Sequence, residues 1–261
     1  MKESYNNEGA LVSIIMPAYN AEKTIEASIN SVTSQTYQNW ELLIIEDAST
    51  DKTAEIAKSA ASKDSRIRFI QNPQNIGVVG SRNVGINSAR GKWLAFLDSD
   101  DLWRYEKLAK QLKFMAETDA VISYTSTAYM SNSGVVYKYV LHAEREISYK
   151  ALLCRNIMSC SSVVVKRDAM LPFPSGNIHE DYAVWLKILR NVQYAYGLDE
   201  PLLVYRLTDN SKSAKRFTSA QMTYNAYRHV GYGCLPAAFL TLRYAAHSIS
   251  KRTAIRTSGT K

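Results

Sequence analysis

The chain has 261 residues, of which 46% are hydrophobic and 21% are charged. This composition excludes intrinsic disorder and predicts one folded domain, or one domain with an appendage. The formal net charge of +8 is uneven: residues 210–261 hold nine basic residues and no acidic one, which leaves 23 basic and 24 acidic groups in residues 1–209. Nucleic-acid-binding proteins usually carry basic residues on the main fold, so we expect no nucleic-acid partner.

Cysteine usage and the N-terminal sequence bear on the compartment. Cys154, Cys160 and Cys234 are too few and too scattered for a disulfide framework or a zinc cluster. Residues 1–10 lack the apolar core of a signal peptide, and no run of about 18 uncharged apolar residues is present. We therefore expect a cytoplasmic protein without a membrane-spanning helix.

Strand-like and helix-like runs alternate through the first hundred residues. Short apolar runs predict strands at residues 11–16, 40–45, 67–70 and 93–97. Apolar residues at helical spacing predict helices between them, at residues 21–34, 51–63 and 79–89. This alternation predicts an α/β fold with a mostly parallel central sheet flanked by helices. Ligands bind such sheets beyond the carboxyl ends of the strands, so the polar residues after each strand are the candidate site.

The remainder of the chain is less regular. Helices are predicted at residues 105–117 and 181–190, and strands at 120–126, 135–140, 161–165 and 202–205. We expect a catalytic domain over residues 1–209, with a first half at about 11–101 and a second half at about 102–209. Residues 210–261 are expected to form a basic, helical C-terminal extension.

Three carboxylates, Asp98, Asp100 and Asp101, follow the predicted strand that ends at Leu97. Like charges this close raise one another's pKa unless a cation joins them. A divalent metal such as Mg²⁺ or Mn²⁺ suits carboxylate oxygens and often shares the phosphate oxygens of a substrate. The alternative is a solvated acidic turn that caps the next helix.

Four sequence blocks in order resemble the inverting glycosyltransferases of family 2, which have the GT-A fold. The blocks are VSIIMPAYN at 12–20, IIEDASTD at 44–51, NIGVVGSRNVG at 75–85 and the D-x-D motif at 98–100. Together they cover residues 11–101, and a looser resemblance continues to about residue 213. The resemblance implies a nucleotide-sugar donor, a divalent metal and a glycan acceptor.

The first two blocks imply contacts with the nucleotide. By resemblance, Pro17, Tyr19 and Asn20 shape the loop that holds base and ribose, and Asp47 accepts a hydrogen bond from uracil N3–H. Tyr19 could instead belong to the core. Ala48 stands where the family usually has glycine, so a turn that needs positive φ would be strained there.

The next blocks imply contacts with ribose, diphosphate and metal. By resemblance, Asp51 and Arg82 hold the uridine and the rim of the site. Asp98, followed by Ser99, contacts the nucleotide sugar, and Asp100 ligates Mn²⁺ or Mg²⁺ with Asp98 as a further ligand. The alternatives are a helix N-cap at residues 49–51 and a surface position for Arg82.

An inverting transfer also needs a base for the acceptor hydroxyl and cations for the diphosphate. The acidic pair at the start of the predicted helix 181–190 resembles that of family 2, so we expect Asp181 to be the base, with Glu180 as second candidate. Both acids could instead complement the helix N-terminus. Arg206 and Lys212, in a segment that resembles the family's closing segment, are expected to clamp the diphosphate, or else belong to a basic surface loop.

The C-terminal segment contains a basic amphipathic pattern. Apolar residues fall near one helical face at i, i+3, i+4 and i+7 spacing, and they are Leu235, Ala238, Phe239, Leu242, Ala246 and Ile249. Such a helix can lie in an anionic membrane interface or pack on the domain body. The absence of acidic residues favours peripheral membrane contact. The resemblance to family 2 implies that this contact is on the cytoplasmic face of the inner membrane.

The function predicted is transfer of a single hexose from a UDP-sugar to a polyprenyl-diphosphate-linked glycan. The layout resembles the enzymes of bacterial O-antigen, capsule and teichuronic-type polysaccharide synthesis. The alternative is a non-catalytic, nucleotide-sugar-binding component of a polysaccharide assembly complex. A sugar nucleotidyltransferase is disfavoured, because the turn at residues 17–20 lacks the glycines of a phosphate loop.

Overall fold

The computed structural model describes residues 9–207 and 216–259. Within them, ten strands form one sheet. The strands are β1 (Val12–Ala18), β2 (Trp40–Glu46), β3 (Ile67–Gln71), β4 (Trp93–Phe96), β5 (Leu102–Trp103), β6 (Ile122–Met130), β7 (Val136–Leu141), β8 (Glu146–Ser148), β9 (Val164–Lys166) and β10 (Tyr194–Arg206). The helices are α1 (Ile25–Thr33), α2 (Thr53–Lys63), α3 (Gly77–Ser88), α4 (Lys107–Thr118), α5 (Tyr149–Leu152), α6 (Glu180–Leu189), α7 (Arg216–His229) and α8 (Cys234–Thr257).

The first four large strands pair in parallel, in the order β3-β2-β1-β4. The residues of β1, β2 and β4 are buried because helices cover both faces, which gives two hydrophobic cores on opposite sides of the sheet. The strand order reverses between β1 and β4, and β4 pairs with β1 only as far as Ile15. The two strands part beyond that point and leave a crevice at their carboxyl ends.

The second half of the sheet is mixed. β9 pairs antiparallel with both β4 and β6, whereas β6 and β10 run parallel to each other. The predicted α/β fold with flanking helices is confirmed, with its parallel part concentrated in the N-terminal half.

Several predicted boundaries are wrong. The predicted helix 21–34 begins only at Ile25, because the backbone at Ala21 makes a turn whose carbonyl accepts from the amides of Thr24 and Ile25. The predicted strand 161–165 begins only at Val164, because Cys160–Ser162 form a 3₁₀ turn. The predicted strand 202–205 is the end of β10, which runs through Pro201 with a change of register on either side.

Three short elements have no counterpart in the prediction, namely β5, β8 and α5, whereas α7 and α8 lie in the segment predicted to be helical. α7 is part of the main core, where its residues Ala226 and Tyr227, and Val230 directly after it, are buried together with residues of α6. The described part of the C-terminal segment, from residue 216, is therefore not wholly separate from the body.

α8 contacts the body with one side and leaves the other side in solvent. Ala237 is buried, and Leu240 and Tyr244 pack against the main core. Four of its outward side chains belong to the predicted apolar face, and they are Ala238, Phe239, Leu242 and Ala246. Leu235, in the first turn, is also exposed. Among the helices of the described ranges, none has the length and apolar character needed to cross a membrane.

Candidate active site

A cavity of about 670 Å³ lies at the carboxyl ends of β1, β2 and β4. This volume is within the usual range for small-molecule sites. Its lining includes nine of the predicted donor-site residues, namely Pro17, Tyr19, Asn20, Asp47, Asp51, Asp98, Ser99, Asp100 and Arg206. Tyr19 is half exposed, which rules out a core position. Asn75 and Ser81 of the third block also line it, so the fold brings residues from all four sequence blocks, and Arg206, to one crevice.

The turns after β1 and β2 are joined by hydrogen bonds. Asn20 adopts a left-handed conformation, its side-chain oxygen accepts from the amide of Thr50 at 2.9 Å, and its own amide donates to Ser49 Oγ at 3.1 Å. Ala48 has φ of +56°, as its place in the second block predicted. A left-handed alanine costs about 1–2 kcal/mol, so this turn is strained.

Asp47 is buried and holds the entrance of α3. One carboxylate oxygen accepts from Asn72 Nδ2 at 2.8 Å and from the amide of Ile76 at 2.9 Å. The other oxygen accepts from the amide of Gly77 at 2.8 Å. Each carboxylate oxygen has two acceptor positions, so the second oxygen retains one for a ligand N–H.

Asp51 holds its own turn. Its oxygens accept from the amides of Thr53 at 2.9 Å and of Glu22 at 3.1 Å, and from Thr53 Oγ1 at 2.5 Å. These hydrogen bonds outweigh burial and lower the pKa of Asp51. Asp51 thus contacts Thr53, the first residue of α2, but the N-cap residue is Lys52, so the predicted N-cap at residues 49–51 is wrong, and Asp51 also lines the cavity.

The acidic turn after β4 is held by serines. Ser28 Oγ donates to the carbonyls of Ser99 at 2.9 Å and Asp101 at 2.8 Å, and Ser161 Oγ accepts from the amide of Asp98 at 3.1 Å. Asp101 points into the protein, where one of its carboxylate oxygens accepts from the amide of Arg206 at 2.9 Å. Asp98 and Asp100 are left facing the cavity.

The electrostatics of this turn bear on metal binding. Burial and the neighbouring Asp98 raise the pKa of Asp100 to about 6. Burial, and to a smaller extent the negative charge of Asp100, raise the pKa of Asp101 well above its usual value. Within the described ranges, no group of three or more His, Cys, Asp or Glu side chains is arranged so that it could hold a metal ion. The protein would supply two carboxylates, and that donor set fits Mg²⁺ or Mn²⁺ that also binds substrate phosphates and water.

Arg82 is buried behind the cavity and lies neither at its rim nor on the surface. It is 4% exposed and donates to Asp98 Oδ1 at 2.6 Å and to Glu180 Oε1 at 3.1 Å. Its guanidinium also lies 5.4 Å from the centre of the Phe173 ring. The predicted contact with the nucleotide stays a prediction. What the geometry supports is a bridge between the acidic turn and α6.

Glu180 and Asp181 begin α6 and have different surroundings. Glu180 is buried and forms an ion pair with Arg82. Asp181 is partly exposed, and Oδ1 accepts from the amide of Tyr182 at 2.7 Å. Burial and the adjacent Glu180 raise the pKa of Asp181. Asp181 is therefore the carboxylate better able to take up a proton.

The comparison with known sequences identifies the family. The sequence model of the family described as "Glycosyl transferase family 2" matches residues 13–165. The chain belongs to glycosyl transferase family 2. Two relatives span almost the whole glycosyltransferase. A Bacillus subtilis protein named for teichuronic acid biosynthesis, TuaG, is 35% identical over 93% of this chain and 97% of its own. The Escherichia coli UDP-Glc:alpha-D-GlcNAc-diphosphoundecaprenol beta-1,3-glucosyltransferase WfgD is 37% identical over 92% and 94%.

Solved structures agree on the fold. Residues 1–349 of S. aureus TarS, in complex with UDP-GlcNAc, match 93% of the glycosyltransferase and 74% of that chain with a TM-score of 0.72 at 18% identity. The mannosyltransferase PcManGT from Pyrobaculum calidifontis, in complex with GDP-Man and Mn²⁺, matches 93% and 75% with a TM-score of 0.67 at 19% identity. At these identities the likeness concerns the GT-A fold alone.

Some residues of the glycosyltransferase site were missed by the sequence analysis. Asn72 supports Asp47, Ser161 supports the acidic turn, and Asn132 lines the cavity. Asn83 exchanges two hydrogen bonds with the backbone of Phe173, at 2.8 and 2.9 Å. Only Asn83 stands within a quoted motif, so it alone had a sequence signal. Lys212 lies outside the described residues.

Arg206 joins the cavity to the acidic turn. Its Nε donates to the carbonyl of Asp100 at 2.9 Å, and Nη1 donates to the carbonyl of Asn132 at 3.1 Å. A guanidinium held this way beside the cavity is suited to an anionic ligand.

Proposed function

We propose that this glycosyltransferase inverts the anomeric centre while it moves a single hexose from a UDP-sugar to a polyprenyl-diphosphate-linked glycan. The observation that carries the proposal is the cavity at the strand ends, with nine predicted donor-site residues in its lining. Asp47 has a free acceptor position for uracil N3–H, and half-exposed Tyr19 offers an aromatic face to the base.

The chemistry assigns one role to Asp181 and another to the acidic turn. Asp181 takes the proton of the acceptor hydroxyl. The oxygen of that hydroxyl forms the new bond to C1 of the sugar, while the bond from C1 to the diphosphate oxygen of UDP breaks. Arg206, beside the acidic turn, stabilises the charge that develops on the diphosphate. Asp98 and Asp100 would hold the metal, which when bound supplies a Lewis acid for that diphosphate. Asp181 is the better base because Glu180 is engaged by Arg82.

The acceptor class and pathway are proposed from the relatives. The WfgD name specifies a GlcNAc-diphosphoundecaprenol acceptor and a UDP-Glc donor, and the TuaG name specifies teichuronic acid synthesis. Coverage of over 90% of both chains supports a role in bacterial surface polysaccharide synthesis, of the O-antigen or capsule kind. A lipid-anchored acceptor would place the transfer at the cytoplasmic face of the inner membrane.

The test is transfer by the purified full chain. UDP-sugars, with UDP-Glc first, are supplied with Mn²⁺ or Mg²⁺ and a synthetic GlcNAc-diphospho-lipid, and the anomeric configuration of the product is read by NMR. We expect a β product from an α donor. Asp181→Asn should lower the rate about 10²–10⁴-fold, whereas Asp168→Asn, an exposed carboxylate in the Arg167–Ala169 turn, should not.

Two outcomes would contradict parts of this proposal. A fully active Asp181→Asn protein would remove Asp181 as the base. UDP-sugar binding without turnover on any acceptor would favour the non-catalytic component of an assembly complex.

A further inference from the structure

The outward side of α8 carries an uninterrupted apolar surface. We define the apolar stripe as Leu235, Ala238, Phe239, Leu242 and Ala246, all of which are exposed. Leu235 is 84% exposed, Phe239 61% and Leu242 72%. The stripe covers about three turns, or roughly 17 Å of helix. Large apolar side chains grouped on one exposed face mark an interaction surface.

The stripe lies on the side of α8 that faces away from the core. The helix already contacts the core through Ala237, Leu240 and Tyr244, on the opposite side. Tyr182 of α6, next to Asp181 in the chain, lies with its ring 5.4 Å from that of Tyr244. The stripe is thus on a helix anchored to the element that carries the proposed base.

The surroundings of the stripe are basic. Arg243 is exposed beside it, with its guanidinium 6.0 Å from the Phe239 ring. Arg228, at the end of α7, and Arg190, at the end of α6, are exposed near the turn that precedes α8. No acidic residue occurs from residue 210 to the end of the chain.

We propose that the apolar stripe of α8 is the surface with which this glycosyltransferase docks on an anionic lipid bilayer. Apolar side chains enter the headgroup boundary while arginines at the sides meet lipid phosphates. A bilayer suits the stripe better than a protein groove because the charged side chains identified beside it and beside the preceding turn, Arg243, Arg228 and Arg190, are all cationic. The biological reason for this docking, which is to bring Asp181 close to a lipid-linked acceptor, rests on the proposed function.

The experiment measures vesicle binding and needs no activity. The full chain is sedimented with vesicles of phosphatidylglycerol and phosphatidylcholine, and with vesicles of phosphatidylcholine alone. We expect binding to the anionic vesicles that weakens at about 0.5 M salt. The triple variant Leu235→Ser, Phe239→Ser, Leu242→Ser should bind the anionic vesicles with an affinity at least about tenfold lower. The control Tyr105→Ser, Val135→Ser removes exposed apolar side chains elsewhere and should bind as the unchanged protein does.

Transfer assays separate this proposal from the proposed function. The triple variant should keep its rate on a water-soluble acceptor and lose rate only on an acceptor in vesicles. Equal vesicle binding by the triple variant and the unchanged protein would overturn the docking surface. The docking surface would also be overturned if the unchanged protein bound no anionic vesicle. It would likewise be overturned if the only effect of the triple substitution were a change from dimer to monomer in sedimentation velocity. Vesicle binding without sugar transfer would overturn the proposed function and leave the docking surface standing.

Discussion

Replacement of Arg82 by Met tests whether the acidic turn and α6 are held together by one buried cation. Arg82 donates to Asp98 and to Glu180, and Met has a similar length without the charge. The substitution leaves the buried carboxylate of Glu180 without its partner.

The magnitude follows from burial. Breaking a buried ion pair by removing one partner costs about 3–5 kcal/mol. The side chain of Glu180 is 11% exposed, so this figure applies to it, whereas that of Asp98 is 30% exposed and contributes less because water can solvate it. We expect Arg82→Met to lower the free energy of unfolding by about 3–4 kcal/mol.

Urea unfolding followed by tryptophan fluorescence measures this change as a shift of the midpoint at constant slope. Arg155→Met is the matched control, because its ion pair with Glu144 has side chains 42% and 40% exposed. That control should cost less than about 1 kcal/mol. The double variant Arg82→Met, Glu180→Gln removes the orphaned charge and should recover about 1–2 kcal/mol of the loss. Equal effects of Arg82→Met and Arg155→Met, or strict additivity in the double variant, would refute the bridge.

Further predictions concern the turn, the sheet, the base and the metal. Ala48→Gly should stabilise the protein by about 0.5–1 kcal/mol in urea unfolding, because it relieves a left-handed alanine. Gly85→Ala should destabilise by about 1–3 kcal/mol, because the added methyl group would overlap the side chain of Ile15. The pH profile of kcat/KM should lose activity toward acid with a midpoint above the usual carboxyl range near ~4, because burial and Glu180 raise the pKa of Asp181; a midpoint at the usual value would contradict this. Because the pKa of Asp181 is raised in the folded state, ionisation of this carboxyl at neutral pH lowers the free energy of unfolding. Asp181→Asn should therefore unfold at a higher urea concentration than the unchanged protein at neutral pH, and at the same urea concentration at acid pH. Chelation by EDTA should lower transfer at least ~100-fold, with recovery on added Mn²⁺ or Mg²⁺; full activity in EDTA would exclude the metal role of Asp98 and Asp100.

The N-terminal half was predictable because its strands are apolar runs, and three of them, β1, β2 and β4, lead directly into a motif. Apolar runs bounded by polar turns marked β1 to β4 within one or two residues, and the acidic turn followed from its position after Leu97. The second half was harder, since β10 passes through Pro201 and only its last residues form a continuous apolar run. Proline normally argues against a strand interior, and a register irregularity accommodates it here.

Arg82 shows why a motif does not determine a contact. Its place in the third block suggested the rim, yet α3 packs closely enough on β1 that a methyl group at Gly85 would not fit. Arg82 stands three residues before Gly85, on the same side of the helix, and is directed into the protein. Glycine within a helical pattern was the available signal of that close approach.

The buried contacts also decide how the docking surface can be tested. Asp98, Arg82 and Glu180 join the donor side to α6, and Tyr182 continues the contact into α7 and α8 through Tyr227 and Tyr244. Deletion of residues 231–261 would remove Tyr244 and the buried Ala237 from the core, and so disturb the base as well as the stripe. A truncated protein that loses transfer therefore cannot separate membrane docking from support of Asp181, whereas substitutions confined to the exposed stripe can.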